Sequence, residues 1–360
     1  MKKKIIIVST KSITQNLFLN KLIKFLQSKD HKIITICKDP ENLNSSVFKK
    51  IQILFPEKLS EFLNIKNIII QVYKIIKINR DFNKPIFLLN TPLASHFIRF
   101  SLFFSKVNIV YFVHGYRFHP KSKIAKKFIF KFFEYLFSLK TDKYININKH
   151  DYNFTKYNLK KKNILVNGVG LEFQKKNYFN KNNLNKEKVI GVLAAYKKEK
   201  GYIDLINLAE KFEKNKDEIK IKAFGLGNRD PFLSIIKKKK LTNIILYTFN
   251  KKIINEIKKF HILLHLSYRE GLSVSVMQAL LYGKPVVARK IRGNEDLIKN
   301  NFNGILFNDI AKDKIYIKIK KLISNKSFYI KMSKNSKRSI DKTYHHDFIN
   351  RKIYRFINNV

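Results

Sequence analysis

His265-Leu-Ser-Tyr-Arg-Glu-Gly-Leu-Ser-Val-Ser-Val-Met-Gln-Ala-Leu-Leu-Tyr-Gly-Lys-Pro-Val-Val-Ala288 is the stretch on which the reading of this chain turns. The apolar run Ile262 to Leu266 reads as a buried strand and Tyr268-Arg-Glu-Gly as a polar turn. Ser273 to Leu281 then opens a helix that Gly283 ends before a short strand, Pro285 to Ala288. Strand, turn, helix, strand aims the helix's first amides at whatever lies above the strand's carboxyl end. Open α/β sheets hold anionic ligands there.

Working outward, the same alternation fills the chain. Ile5 to Ser9 predicts a strand, Ile13 to Leu26 a helix and Lys32 to Cys37 a strand. Helices over Leu59–Ile78, Pro92–Phe104 and Lys121–Leu139 then alternate with strands over Pro85–Leu89, Asn108–Val113, Lys143–Ile147 and Ile164–Val166. After Gly168-Val-Gly170 the Asn- and Lys-rich segment from Phe173 to Lys188 loses apolar periodicity, as a linker does. A second alternation follows: strand Val189–Ala194, helix Tyr202–Phe212, strands Ile219–Phe224 and Ile244–Tyr247, the opening stretch, and a helical tail over Lys312–Val360. The expected division is 1–168, a linker 169–188, 189–340 and a C-terminal helix 341–360 that packs back on the first domain. Regular βα alternation predicts α/β architecture, with two Rossmann-like doubly wound parallel-sheet domains and a ligand in the cleft between them.

With 360 residues the chain can build two real cores. Its single cysteine, Cys37, sits in a strand-like apolar run and reads as a small core residue in a reducing compartment. The basic start Met1-Lys-Lys-Lys is followed by too short an apolar run for a signal peptide, and Arg99, Lys106 and Asn108 interrupt the longest candidate span. The expectation is a cytoplasmic protein, soluble or peripheral on a membrane. A net charge of +48 suits partners that are anionic, lipid headgroups included. The basic residues are spread over the whole chain beside abundant Ile, Asn and Phe, which compositional drift would also produce. No specific nucleic-acid partner is expected.

Glu270-Gly-Leu through Gln278, then Gly283-Lys-Pro and Arg292-Gly-Asn294, resemble the donor site of the retaining glycosyltransferases of family 4, which have the GT-B fold. Asn90-Thr-Pro-Leu-Ala-Ser95, Tyr111-Phe-Val-His-Gly-Tyr-Arg-Phe-His119, Tyr144-Ile-Asn-Ile-Asn-Lys-His-Asp-Tyr152 and Gly168-Val-Gly170 are similar, in the same order, to segments of the capsular, exopolysaccharide and O-antigen subgroup. The resemblance implies a metal-independent transfer of a hexose or N-acetylhexosamine from a nucleotide sugar, a UDP-sugar first among them, to a lipid-linked glycan acceptor. It implies no bound cofactor, since the nucleotide sugar is a co-substrate. No Asp-x-Asp metal clamp occurs in the chain, so no metal ligands are assigned.

The resemblance carries three catalytic roles. Glu270 corresponds to the glutamate that accepts hydroxyls of the transferred sugar, Lys200 to the lysine that binds the diphosphate, and His114 to the histidine that faces the sugar from the first domain. Gly271, Leu272 and Ser273 at the helix start, with Gln278 and Lys197, complete the nucleotide-binding set. Each residue also has an ordinary reading. Lys200 can be a solvated lysine at a helix entry, Glu270 a charge favouring the helix dipole, His114 a structural histidine, and Gln278 the distal half of a capping box with Ser275. The sequence departs from the family pattern twice. Gln278 stands where a second glutamate holds the ribose, and Ala195 where an arginine contacts the diphosphate, leaving Lys197 and Lys198 as point charges. Those departures keep open a catalytically weakened GT-B relative that serves as a basic polyanion- or nucleic-acid-binding protein. A GT-B epimerase is disfavoured by the Thr91-Pro92 and His114-Gly115 segments.

In the first domain, Phe128, Ile129, Phe132, Phe133, Leu136 and Phe137 are interleaved with Lys121, Lys123, Lys126, Lys127 and Lys131. That suits a helix lying on an anionic inner-membrane surface, and equally a core helix with a wet basic face.

Overall fold

Ile5, Ile6, Ile7 and Val8 are all fully buried, so both faces of their strand are covered, as a central parallel strand requires. The computed structural model describes residues 3–57, 61, 63–118, 124–173, 187–250, 252–308 and 312–359. Most of the expected linker (174–186) lies outside them, as do His119, Lys121 and Lys123. The chain divides into two units, Met1–Gly170 with His345–Val360, and Leu171–Tyr344.

The first unit is built on seven parallel strands: β1 (Lys4–Val8), β2 (Lys32–Cys37), β3 (Lys49–Gln52), β4 (Ile86–Leu89), β5 (Asn108–Val113), β6 (Lys143–Asn146) and β7 (Lys162–Leu165). Their order is β3-β2-β1-β4-β5-β6-β7, which reverses direction at β1/β4, where Ile5 pairs with Ile86. Helices Ile65–Asp81, Pro92–Ser101 and Ile124–Ser138 belong to this unit. The helix His346–Asn358 is tied to the same unit. Lys352 Nζ donates to Leu165 O (2.8 Å), Asn350 Nδ2 to Lys21 O (3.3 Å), and Lys143 Nζ to Phe356 O (2.7 Å). The consecutive His345, His346 and Asp347 are the described grouping that comes nearest to metal-ligand spacing. There His345 acts as the helix N-cap, its Nδ1 accepting from Asp347 N at 3.3 Å.

The second unit repeats the plan with six parallel strands: β8 (Lys188–Leu193), β9 (Ile219–Gly225), β10 (Ile244–Thr248), β11 (Ile262–His265), β12 (Val286–Arg289) and β13 (Gly304–Phe307). The order is β10-β9-β8-β11-β12-β13, and the reversal falls at β8/β11, where Ile190 pairs with Ile262. Each unit is thus a doubly wound parallel sheet. The helical tail is three helices, Lys312–Ser324, Lys326–Arg338 and His346–Asn358.

Among the described residues, periodicity misses several short elements, the helices Lys149–Asn153 and Asn294–Leu297 included. β3 is largely exposed and basic, and β13 lies within Asn-Phe-Asn-Gly-Ile-Leu-Phe with only four strand residues. The helices Asp230–Lys238 and Ile253–Lys259 are short, with few apolar positions to reveal a period. Of the expected helix Leu59–Ile78, Leu59, Ser60 and Phe62 lie outside the described residues; from Ile65 on it falls in a helix over Ile65–Asp81, capped by the Asn64 side chain, which accepts from Asn67 N. Cys37 is fully buried and unpaired, and burial pushes its thiol up to about 12.

Candidate functional site

In the second unit the two loops that leave the reversal point, 194–201 after β8 and 266–273 after β11, rise side by side beyond the strands' carboxyl ends. Open α/β sheets bind ligands at this position. Glycines let the backbones close in. Gly201 has φ 78°, and a Cβ there would lie 2.5 Å from Leu266 O. Gly293, at φ 81°, brings a third loop in, its Cβ position 2.0 Å from Gly271 O. Tyr268 N donates to Glu199 O at 2.9 Å, joining the first two loops.

Side chains then meet across these loops. Lys200 Nζ donates to Glu270 Oε1 at 2.6 Å, with the two side chains 22% and 18% exposed. The pair is therefore largely sheltered yet reachable. His265, the last residue of β11 and 3% exposed, places Nε2 3.4 Å from the same Glu270 oxygen and 3.2 Å from Ser273 Oγ. Asn294 Nδ2 donates to Arg289 O (2.9 Å), and its contact with His265 Nδ1 (3.2 Å) makes that nitrogen the acceptor. The imidazole proton therefore sits on Nε2, facing Glu270. Arg292 Nε donates to Glu270 O at 3.2 Å. Burial works to raise the Glu270 carboxyl, but the hydrogen bond from His265 and the Lys200 ammonium outweigh it and hold the group down to about 2. Glu270 is a carboxylate at any working pH.

Ser273 caps the helix Val274–Leu281, its Oγ accepting from Val276 N at 3.4 Å. This corrects the capping-box alternative. Ser275 is inside the helix, so Gln278 is its fifth residue and cannot reach back to the cap. Gln278 is half-buried, Leu272 buried and Gly271 half-buried. Lys197 is exposed at the start of the short 3-10 turn Lys198–Lys200. Lys200 is thus not a freely solvated lysine, while Glu270 keeps its place ahead of the Ser273 cap as well as its ion pair.

A second network braces the same loops. Tyr268 OH donates to Asp204 Oδ2 (2.6 Å), and Arg289 reaches that oxygen at 3.2 Å. The Arg289 guanidinium lies 4.0 Å from the centre of the Tyr268 ring, and its Nε donates to Leu266 O at 3.3 Å. No role follows from sequence for His265, Arg289 or Asp204, and Asn294 has only a place in the Arg292-Gly-Asn294 segment. For His265 the available signal is that it is a polar residue ending an apolar strand.

His114 belongs to the first unit, immediately after β5 and before Gly115 at φ 127°. Asn90 Nδ2 donates to Leu88 O (2.9 Å) and Val8 O (3.2 Å), which leaves its Oδ1 to accept from His114 Nε2 at 3.3 Å. Burial pulls the His114 pKa down to about 4, so the ring is neutral at physiological pH. Thr10 and Thr91 share a hydroxyl contact of 2.7 Å at the β1/β4 reversal of the same sheet.

Residues 174–339 match the family model described as glycosyl transferases group 1. A Klebsiella pneumoniae protein described as an uncharacterized 41.2 kDa protein in the cps region is 24% identical over 287 residues, 75% of this chain and 77% of the other. A sucrose-phosphate synthase from Thermosynechococcus elongatus superposes with a TM-score of 0.82 over 99% of both chains at 12% identity. The HepE protein of Anabaena, solved in complex with UDP and glucose, superposes with a TM-score of 0.76 at 14% identity, over 99% of this chain and 100% of the other. The architecture is GT-B: two Rossmann-like units, each on an all-parallel sheet.

Proposed function

We propose that this chain is a retaining glycosyltransferase that moves a hexose or N-acetylhexosamine from a nucleotide sugar, with a UDP-sugar as the favoured donor, to a lipid-linked glycan acceptor in surface-polysaccharide assembly. It works as a peripheral protein on the cytoplasmic face of the inner membrane. The observation that carries the reading is the Lys200–Glu270 pair at the reversal point of the second sheet, inside the segment that matches the glycosyl transferases group 1 model. The cps-region relative supports the polysaccharide setting, and the HepE complex with UDP and glucose supports the donor class.

The chemistry assigns a task to each group. Departure of the nucleotide leaves negative charge on its diphosphate, and the Lys200 ammonium and the first amides of the Val274–Leu281 helix supply positive potential without a metal. Lys197 adds a further point charge. Glu270, fixed as a carboxylate, accepts hydroxyls of the sugar through charge-assisted hydrogen bonds that discriminate against ligands lacking them. Gln278 offers its Oε1 to a ribose hydroxyl. The acceptor oxygen bonds to the anomeric carbon on the face from which the diphosphate leaves, the carbon–oxygen bond to the diphosphate breaks, and the acceptor's proton passes to the departing phosphate oxygen. His114 enters as a neutral hydrogen-bonding imidazole, not as an acid.

A donor screen read by mass spectrometry, with membrane extract as acceptor, tests the reading. Transfer from one donor that disappears in Glu270→Ala and Lys200→Ala supports it, and unchanged transfer in both variants refutes the site. Titration with nucleotide diphosphates and with duplex DNA separates it from the weakened polyanion-binding alternative, which predicts salt-sensitive DNA binding and no nucleotide binding.

A further inference from the structure

The helix Ile124–Ser138 is turned inside out for a helix in water. Its single acid, Glu134, is 2% exposed, while Ile124, Phe128, Phe132 and Tyr135 are 87%, 73%, 55% and 43% exposed. Positions 124, 128, 132 and 135 fall on one helical stripe. The inward side explains why this orientation holds. Glu134 Oε2 accepts from Arg99 NH1 at 3.0 Å, and its Oε1 lies 2.9 Å from His96 Nε2, both on the neighbouring helix Pro92–Ser101. Arg99 is fully buried, so rolling the phenylalanines inward would strand a buried guanidinium. Further exposed rings follow on the neighbouring helix and the turn after it: Phe100 is 60% and Phe104 97% exposed, and Lys140 Nζ, just past the end of the Ile124–Ser138 helix, stands 5.9 Å from the ring of Phe103.

We infer that this stripe, with Phe100 and Phe104, is the surface by which the first unit inserts among the headgroups of an anionic membrane. The assignment rests on the membrane reading above and gives it a place on the molecule. The occupant follows from charge. The same helix carries Lys126, Lys127 and Lys131, Lys140 follows it, and no acid on either helix faces outward to oppose them. An aromatic stripe accompanied by lysines fits the acyl–headgroup boundary of an anionic leaflet, where rings bury and ammonium groups meet phosphate.

The sequence contains no tryptophan, so one introduced ring reports its own surroundings. Phe128→Trp, and Phe132→Trp as a second reporter, are compared with Phe249→Trp on the second unit, where Phe249 is 45% exposed. Each full-length variant is checked for the wild-type circular dichroism spectrum and mixed with phosphatidylglycerol vesicles carrying brominated acyl chains at physiological salt. Expected are a blue-shifted emission and severalfold stronger quenching at positions 128 and 132 than at 249. Equal quenching at all three positions with the protein still sedimenting on vesicles would overturn the surface while leaving the membrane reading standing. No sedimentation with the vesicles would overturn both. A blue shift at 128 that grows with protein concentration without vesicles would make a second copy the occupant and overturn the lipid assignment.

Discussion

Replacing Glu270 by glutamine should tighten UDP binding while crippling transfer, because on the proposed reading an incoming diphosphate must take the Lys200 ammonium from Glu270. Lys200 Nζ lies 2.6 Å from Glu270 Oε1 in a site only about a fifth exposed. A hydrogen bond between charged partners contributes ~1.5–3 kcal/mol, and the lower end suits a pair that water still reaches. Glutamine keeps the shape and loses the charge, so the diphosphate no longer has to displace a carboxylate. A gain of ~1.5 kcal/mol is about a tenfold lower Kd for UDP, read by isothermal titration calorimetry. UDP carries no sugar, so it loses nothing when Glu270 is removed. Turnover of the UDP-sugar has the opposite dependence. Without the charge-assisted bonds to sugar hydroxyls, kcat/KM should fall ~100-fold or more, equivalent to ~3 kcal/mol. Lys200→Ala should weaken both UDP binding and turnover. An unchanged or weaker UDP affinity in Glu270→Gln, beside normal turnover, would refute the shared-ammonium geometry.

Gly293→Ala should distort the site, since the new methyl would lie 2.0 Å from Gly271 O at a φ that alanine disfavours. A loss of ~2–4 kcal/mol is expected in thermal unfolding, together with lost nucleotide binding. Ser273→Ala removes the helix cap at a cost of ~1 kcal/mol, seen as a lower Tm. For Glu134, burial works to raise the carboxyl, but Arg99 and His96 outweigh it and hold it down to about 2. Its stabilisation is then fully present above an ordinary carboxylate pKa of ~4.3 and is lost as pH falls through about 2. Glu134→Gln should cost ~3–5 kcal/mol at pH 7 and progressively less in acid, measured by urea unfolding at pH 7 and pH 3. His114, held neutral, should contribute no limb to the rate profile between about pH 5 and 8; a limb that vanishes in His114→Ala would contradict its burial.

The strands that the sequence reveals are those whose residues are buried on both faces. β1, β4 and β5 are near-continuous Ile, Val, Leu and Phe, and such runs stand out without any partner being known. β3, Lys-Lys-Ile-Gln, owes its strand state to hydrogen bonding with β2, a long-range contact invisible in a window of four residues. The site shows the same split. Glu270 and Lys200 are legible through a resemblance in local motifs, but that they pair with each other depends on β8 and β11 being neighbours across the sheet reversal. His265 was invisible as a site residue for a related reason. Within its own strand it looks like an apolar run's last position, and only the loops from Glu270 and Asn294 give its two nitrogens partners. A window of sequence offers Ser275 as the cap of a capping box; the helix starts one residue before it, at Val274, so Ser273 takes that place.

The two units contain the same electrostatic construction, and burial alone separates its uses. Glu134 meets Arg99 and His96 in one, and Glu270 meets Lys200 and His265 in the other; both carboxyls are held down to about 2 against the opposing effect of burial. In the first unit the guanidinium is 0% and the carboxylate 2% exposed, on two helices that bear the outward aromatic stripe. No ligand can reach that pair, and breaking it leaves a buried charge uncompensated, so it serves as a fixed pin. In the second unit the partners are 22% and 18% exposed, on loops at a sheet reversal, and the cation is a lysine whose flexible stem would, on the proposed function, follow a phosphate when the carboxylate turns to a sugar. A depressed carboxyl is therefore no mark of function in itself. On the proposed function, exposure of about a fifth, at the place where an α/β sheet opens, is what would turn the same pair from a pin into a site that a ligand can divide.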